Sequence, residues 1–219
     1  PDVPLSDSAE PKRRLGYAGR TTISTFGLIN RGKGLEYAIE AMQAVVATHP
    51  EALYLILGQT HPVVRRREGE SYRRELEAEI AQSGLADNVV LVDKYLDFDE
   101  LLGYLAASDV YLTPYLNPTQ VVSGTLAYAV GCGKAVVSTP YLYAQELLAL
   151  GRGFLVPFRD ASAIATTLVA LLDDPALREN TERRAYRYGR QMTWPNVAQA
   201  HGAYFGELLP RRTPLATPA

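Results

Sequence analysis

Thr21-Thr22-Ile23-Ser24-Thr25-Phe26, then Gly27-Leu28-Ile29-Asn30-Arg31-Gly32-Lys33-Gly34, then Leu35, Ile39, Met42 and Val46 at helical spacing: this stretch decides the fold. A β-rich run, a glycine-rich turn and one apolar helical face, ending near His49-Pro50, make a strand–turn–helix unit. The same rhythm continues downstream. Short apolar runs predict strands over 52–57, 89–92, 110–113, 135–138 and 154–156. Between them, 3.6-period segments predict helices over 71–83, 98–107, 123–131 and 143–150, with Asp97 and Ser123 as caps and Gly84 and Gly151 as stops. From Ala161 onward the pattern is helical only, over 161–172, 175–191 and 195–208. Strands that are apolar throughout, not alternately, are those of a parallel sheet covered on both faces. The fold expected is therefore α/β: a doubly wound, mostly parallel Rossmann-like sheet of about six strands with a C-terminal helical segment. In such sheets ligands sit at the carboxyl ends of the strands, beside the topological switch point.

The rest of the sequence narrows the function by exclusion. A chain of 219 residues, 47% hydrophobic and 21% charged, can bury a core without staples. A net charge of −2 gives no reason to expect a nucleic-acid or anionic-membrane surface. The single cysteine, Cys132, rules out a disulfide framework within the chain, and His49, His61 and His201 are too scattered for a histidine metal centre. No apolar run is long enough for a transmembrane segment. A cytoplasmic location and no bound metal or cofactor are expected. Residues 1–20 read as a linker, 21–208 as one domain, and 209–219, with three prolines from Pro210 onward, as a disordered tail.

Four strand-end loops carry chemistry. In the first, Gly27 and its neighbouring glycines let a phosphate approach the backbone, and Arg31 and Lys33 supply cations beside a helix N-terminus. A solvated turn is the plainer alternative. The second holds Gly58 and His61 ahead of Arg65-Arg66-Arg67; His61 suits a hydroxyl or phosphate, or simply caps a turn before Pro62, and the arginines read as an exposed loop. The third runs through Tyr115 and Gln120 to Ser123-Gly124-Thr125 at a helix start, where hydroxyls and unpaired amides form an anion site. The fourth, around Tyr141, Tyr143 and Glu146, either meets ligand or packs over the sheet rim.

The order of these features resembles the C-terminal, donor-binding domain of GT-B fold glycosyltransferases, the retaining group 1 (family 4) enzymes that use nucleotide sugars. The segments that carry the resemblance are the strand–Gly27…Lys33-Gly34–helix unit, Leu53 to Gly58, Asp87-Asn88-Val89 through Asp109-Val110-Tyr111-Leu112-Thr113-Pro114, and Ala129…Gly133-Lys134-Ala135-Val136-Val137-Ser138-Thr139, followed by Glu146 and Gly153-Phe154-Leu155-Val156-Pro157. The resemblance implies that Lys33 lies against the donor pyrophosphate. The family's arginine after the first glycine is Leu28 here, leaving Arg31 as a substitute by proximity. Its two glutamates, eight positions apart, fall on Gln120 and Tyr128. Gln120 can still meet sugar hydroxyls, whereas Tyr128 cannot accept as a carboxylate does.

The resemblance implies glycosyl transfer with retention, with Gln120 and Lys33 at the reaction centre and Gly27, Arg31, Gly58, His61, Tyr115, Ser123, Gly124, Thr125, Tyr128 and Glu146 around the donor. Charge on the leaving diphosphate would rest on Lys33, Arg31 and the helix N-terminus without a protein-bound metal. A nucleotide sugar or nucleoside diphosphate is the expected ligand, and an N-terminal acceptor-binding domain the expected partner. Without that domain the chain should not turn over, and Tyr95, Tyr115, Pro118, Tyr141 and Tyr143 should form an exposed apolar rim. A nucleotide-sugar epimerase, a phosphorylase, or a non-catalytic sugar- or nucleotide-binding domain remain alternatives.

Overall fold

A computed structural model describes Leu5 and residues 8–208. Helix α1 (Ala9–Leu15) precedes strand β1 (Thr21–Phe26), which leads through a 3-10 turn (Arg31–Lys33) into α2 (Leu35–Thr48). Then come β2 (Ala52–Leu57), α3 (Pro62–Glu68), α4 (Ser71–Gln82), β3 (Val89–Val92), α5 (Phe98–Ala107) and β4 (Val110–Thr113). The chain continues with α6 (Gly124–Gly131), β5 (Ala135–Ser138), α7 (Leu142–Leu147) and β6 (Phe154–Leu155), and finishes in α8 (Ala161–Asp173), α9 (Pro175–Gly189) and α10 (Trp194–Leu208).

The six strands form one parallel sheet in the order β3-β2-β1-β4-β5-β6. This is the expected doubly wound arrangement, and its order reverses between β1 and β4. Both faces are covered. Ile23, Tyr54, Ile56 and Val110 pack against α2, α4 and α8 through Ile39, Met42, Leu76, Ile164 and Leu168. On the other face Tyr111 and Val136 pack against α5, α6, α7 and α9 through Leu105, Leu126, Val130, Leu147 and Ala185. Strands buried on two sides have no polar face to show, which is why their sequences do not alternate.

The structure differs from the sequence reading in three places. The linker expected over 1–20 contains helix α1, and α1 is bound to the domain. Asp109 is buried at the amino end of β4, where its carboxylate accepts from Ser8 Oγ (3.0 Å), Lys12 Nζ (2.5 Å) and Thr22 N (2.7 Å). Arg65-Arg66-Arg67 lie in α3, not in a loop. The expected apolar rim is broken: Tyr115 and Tyr141 are buried, stacked with centroids 5.6 Å apart, Tyr143 is half-buried, and only Tyr95 and Pro118 of the five stand open. The tail expected over 209–219 lies outside the described residues.

The Asp109 cluster yields a first test. Lys12 and Asp109 side chains are only 12% and 9% exposed, so Lys12→Ala leaves a carboxylate short of a donor in a poorly solvated place. The expected loss is about 2 kcal/mol in a urea titration, the size of a charge-assisted hydrogen bond. An unchanged midpoint would show that α1 is not held by this pair.

Candidate functional site

The reversal of strand order brings the loop after β1 beside the loop between β4 and α6, the place where ligands bind in sheets of this kind. Two paired glycines set its floor. Gly27 N donates to Leu57 O (2.9 Å), and beyond the two strands Ile29 N donates to Gln59 O (2.8 Å) and His61 N to Ile29 O (2.9 Å). At Gly58, with φ +143°, a Cβ would stand 2.2 Å from Gly27 O, so neither backbone could come this close with a larger residue at 58. Gly34, in the left-handed region with φ +62°, brings the chain equally near Pro114 O and starts α2.

Lys33 is drawn back into this floor. A Cβ built on Gly27 would meet Lys33 Nζ at 3.6 Å and Thr125 Cγ2 at 3.3 Å, which places the cation and the start of α6 on either side of the same glycine. The ammonium lies 3.7 Å from the centroid of the Tyr115 ring. Tyr115 in turn shares a hydrogen bond with Thr125 Oγ1 (2.7 Å), and Ser123 Oγ stands 3.1 Å from that hydroxyl. No carboxylate pairs with Lys33 among the described residues, and burial pushes its pKa down to about 8. Burial likewise raises the Tyr115 phenol to about 12, so it stays a neutral support beneath the cation. Ser123 caps α6 by accepting from Leu126 N (3.3 Å). The amides of Gly124 and Thr125, in the first turn, have no acceptor within the helix. Lys33, Gly27, Ser123, Gly124 and Thr125 thus form one electropositive cradle, with Tyr115 under it.

Other expected site residues lie elsewhere. Arg31 does not join the cradle. Its guanidinium makes a bidentate pair with Glu75 (2.7 and 2.6 Å), approaches Glu68 (3.7 Å) and lies over Tyr72, all on the α3–α4 side. With two carboxylates already at hand, it adds no unpaired charge for a phosphate. His61 caps α3, its Nδ1 accepting from Val63 N (3.1 Å), and with Asn30 and Arg31 lines a separate cleft of about 400 Å3. Gln120 spends its amide N–H on Val122 O (2.9 Å), leaving Oε1 without a protein partner among the described residues. Tyr128 packs edge-on against Phe98. Glu146 is exposed on α7, and its carboxylate makes none of these contacts.

One residue was missed. Arg73 is buried beneath the same floor, donating to Gly58 O (2.7 Å) and pairing with Asp93 (3.1 Å), so it ties the ends of β2 and β3 together. The signal was present: Arg73 shares the inward face of α4 with Leu76 and Ile80, an unusual place for a charge unless it has work at a strand end.

The sequence pattern of the family described as glycosyl transferases group 1 matches residues 20–174. Among curated proteins, a GDP-mannose-dependent monoacylated alpha-(1-6)-phosphatidylinositol monomannoside mannosyltransferase of Corynebacterium glutamicum is 27% identical over 179 residues, covering 78% of this chain and 43% of the relative. The chain spans about half the length of the curated relatives it matches. Among solved structures, the C-terminal domain of a glycosyl transferase group 1 family protein (LpcC) from Francisella tularensis superposes with a TM-score of 0.74 at 22% identity, covering 84% of this chain and 92% of that one. Anabaena Alr3699/HepE, solved in complex with UDP, gives a TM-score of 0.80 at 21% identity over 94% of this chain and 54% of that one. No helix among the described residues is long and apolar enough to cross a membrane.

Proposed function

Because the chain belongs to the group 1 glycosyltransferases, we propose that it is the donor-binding half of a retaining enzyme that transfers a sugar from a nucleotide sugar to an acceptor held by a separate N-terminal domain. The observation that carries this reading is the cradle: a lysine with no carboxylate partner among the described residues, held between Gly27 and the first turn of α6 at the sheet's switch point. Its shape and charge suit the diphosphate of such a donor. In transfer, negative charge grows on the leaving diphosphate, and Lys33 with the α6 amides would stabilise it. This reading calls for no protein-bound metal, assigns no part to Arg31, and goes with a cytoplasmic location. Gln120 Oε1 is left to accept from a donor-sugar hydroxyl. A relative that uses GDP-mannose and a neighbour solved with UDP support a nucleotide ligand without fixing its base.

Calorimetric titration of the 219-residue chain with GDP, UDP and inorganic pyrophosphate tests the reading. Binding of at least one nucleoside diphosphate is expected, and no binding by any of the three would reject it. The low Lys33 pKa adds a signature. In the free protein Lys33 is largely neutral above pH 8, whereas a bound diphosphate favours the ammonium. Binding at pH 8.5 should therefore take up a proton, seen as a heat that changes with the buffer's ionisation enthalpy, and affinity should fall as pH rises further. A buffer-independent heat would remove Lys33 from the contact.

A further inference from the structure

Tyr141 stands where the turn after β5 meets the loop before α6. Just after it, Leu142 N donates to Pro118 O (3.1 Å) and Tyr143 N to Gln120 O (3.1 Å), so its place is tied to that loop through the backbone. The Tyr141 ring is fully buried and stacks with that of Tyr115, 15° from parallel, and Tyr115 carries the Lys33 ammonium. Its hydroxyl is buried too, yet that oxygen has no hydrogen-bond partner among the described residues. A phenylalanine would fill the same stack without stranding a polar group, and buried hydroxyls are seldom left so. Its polar neighbours are the hydroxyls of Ser123, Thr113 and Ser138. Thr113 Oγ1 donates to Ser138 Oγ (2.8 Å) across β4 and β5, where the strand register fixes both residues. Ser123, the cap of α6, is the one of the three not held in the sheet. Burial raises the Tyr141 phenol's pKa, so it remains a neutral donor.

We infer that Tyr141 is a positioning residue for the cradle, its stranded hydroxyl becoming a donor to Ser123 only when a diphosphate is bound. The inference rests on the donor-binding reading above and adds to it a residue that the ligand never touches. A serine hydroxyl has one proton and two lone pairs. In the empty site Leu126 N takes one lone pair of Ser123 Oγ (3.3 Å). Thr125 Oγ1, which accepts from Tyr115 (2.7 Å), donates to the other across 3.1 Å, and Tyr141 is left without an acceptor. An oxygen of a bound diphosphate takes the Thr125 proton in place of Ser123. The lone pair so released accepts from Tyr141, which holds Ser123 and the start of α6 against the ligand. Satisfying a hydroxyl that the empty protein leaves unpaired then adds to affinity.

The test titrates the wild-type chain, Tyr141→Phe, Ser123→Ala and the double variant with inorganic pyrophosphate, GDP and UDP, and melts each without ligand. Tyr141→Phe keeps the ring and the stack. It should melt no lower than the wild type, because the empty chain loses no hydrogen bond. It should bind all three ligands about fivefold more weakly, the size of one neutral hydrogen bond. In Ser123→Ala the acceptor is gone, so adding Tyr141→Phe should weaken binding no further, while the effects on melting stay additive. A merely structural tyrosine would not show coupling that depends on the ligand. A Tyr141→Phe chain that binds as the wild type does would overturn this role while leaving the donor reading intact. A lower melting point in Tyr141→Phe would overturn it as well, since the hydroxyl would then be bonded in the empty chain. Equal losses of affinity from Tyr141→Phe in the wild-type and Ser123→Ala backgrounds would also overturn it, because Ser123 would then not be the acceptor. If the wild-type chain binds none of the three ligands, the donor reading fails and the role of Tyr141 falls with it.

Discussion

Replacing Lys33 with methionine is expected to weaken nucleoside-diphosphate binding by about thirtyfold while raising the thermal midpoint at neutral pH. The loss follows from one charge-assisted contact, worth about 2 kcal/mol. The gain in stability follows from what Lys33 lacks. Its ammonium sits in a poorly solvated place with a tyrosine ring beneath it and no carboxylate beside it among the described residues, so folding disfavours its charged form, as the pKa of about 8 records. A lysine whose folded pKa lies below its unfolded value makes the native state bind fewer protons between the two. Stability contributed by this group therefore rises as pH climbs from about 8 toward the ordinary lysine range, and the penalty is fully present below 8. The methionine variant escapes that penalty, so its advantage should be largest near pH 7 and fade above pH 10. A variant that melts lower at pH 7 and binds diphosphate as before would contradict both halves of the argument. Binding sites that are costly to the empty protein are a familiar trade of stability for function.

How much of this was legible in the sequence depended on whether the cause was local. The β2 run Ala-Leu-Tyr-Leu-Ile-Leu is buried at every position, and a continuous apolar run of that length between turn signals announces such a strand directly. Asp97 and Ser123 were readable as caps because a cap bonds to amides three residues away. Helix α1 was not readable. It has no buried residue and no apolar stripe, and what fixes it is a carboxylate 97 residues downstream of Lys12. Helix α3 could have been found, since His61 before Pro62 is a capping residue followed by proline at the first helical position.

The site divides in the same way. Lys33, Gly27, Ser123, Gly124 and Thr125 converge because all stand at strand ends around one switch point, and topology follows from strand order. Arg31, two residues from Lys33, was expected beside it. Its direction is set by Glu75, on another helix and 44 residues away, and no local pattern announces that pair. Tyr115 and Tyr141 were expected at an open rim because loops are usually exposed. Their mutual stacking put them inside instead, where Tyr115 serves as the floor under the cation.

Gly58→Ala should be among the most damaging single methyl groups added to this chain, and its contrast with Gly103→Ala shows why. At Gly58 the backbone has φ +143°, a conformation L-residues rarely adopt, and the new Cβ would lie 2.2 Å from a backbone oxygen, Gly27 O. Backbone strain and a backbone clash together are expected to cost about 4 kcal/mol, because no flexible side chain can yield. Relief requires the end of β2 to part from the loop after β1. That motion carries Gly27 away from Lys33 and Thr125, and it pulls Gly58 O from Arg73. Stability and diphosphate affinity should therefore fall together, and no surface change elsewhere should restore either. Gly103, inside α5, has nothing within 4 Å of its Cβ position and no unusual φ. There the same substitution adds only helix propensity and should stabilise by up to about 1 kcal/mol. Urea titrations of the two variants make the comparison directly. If Gly58→Ala unfolds at the wild-type midpoint and binds GDP or UDP equally well, the two strand ends do not meet as closely as this packing requires, and the floor of the cradle is not built by Gly58.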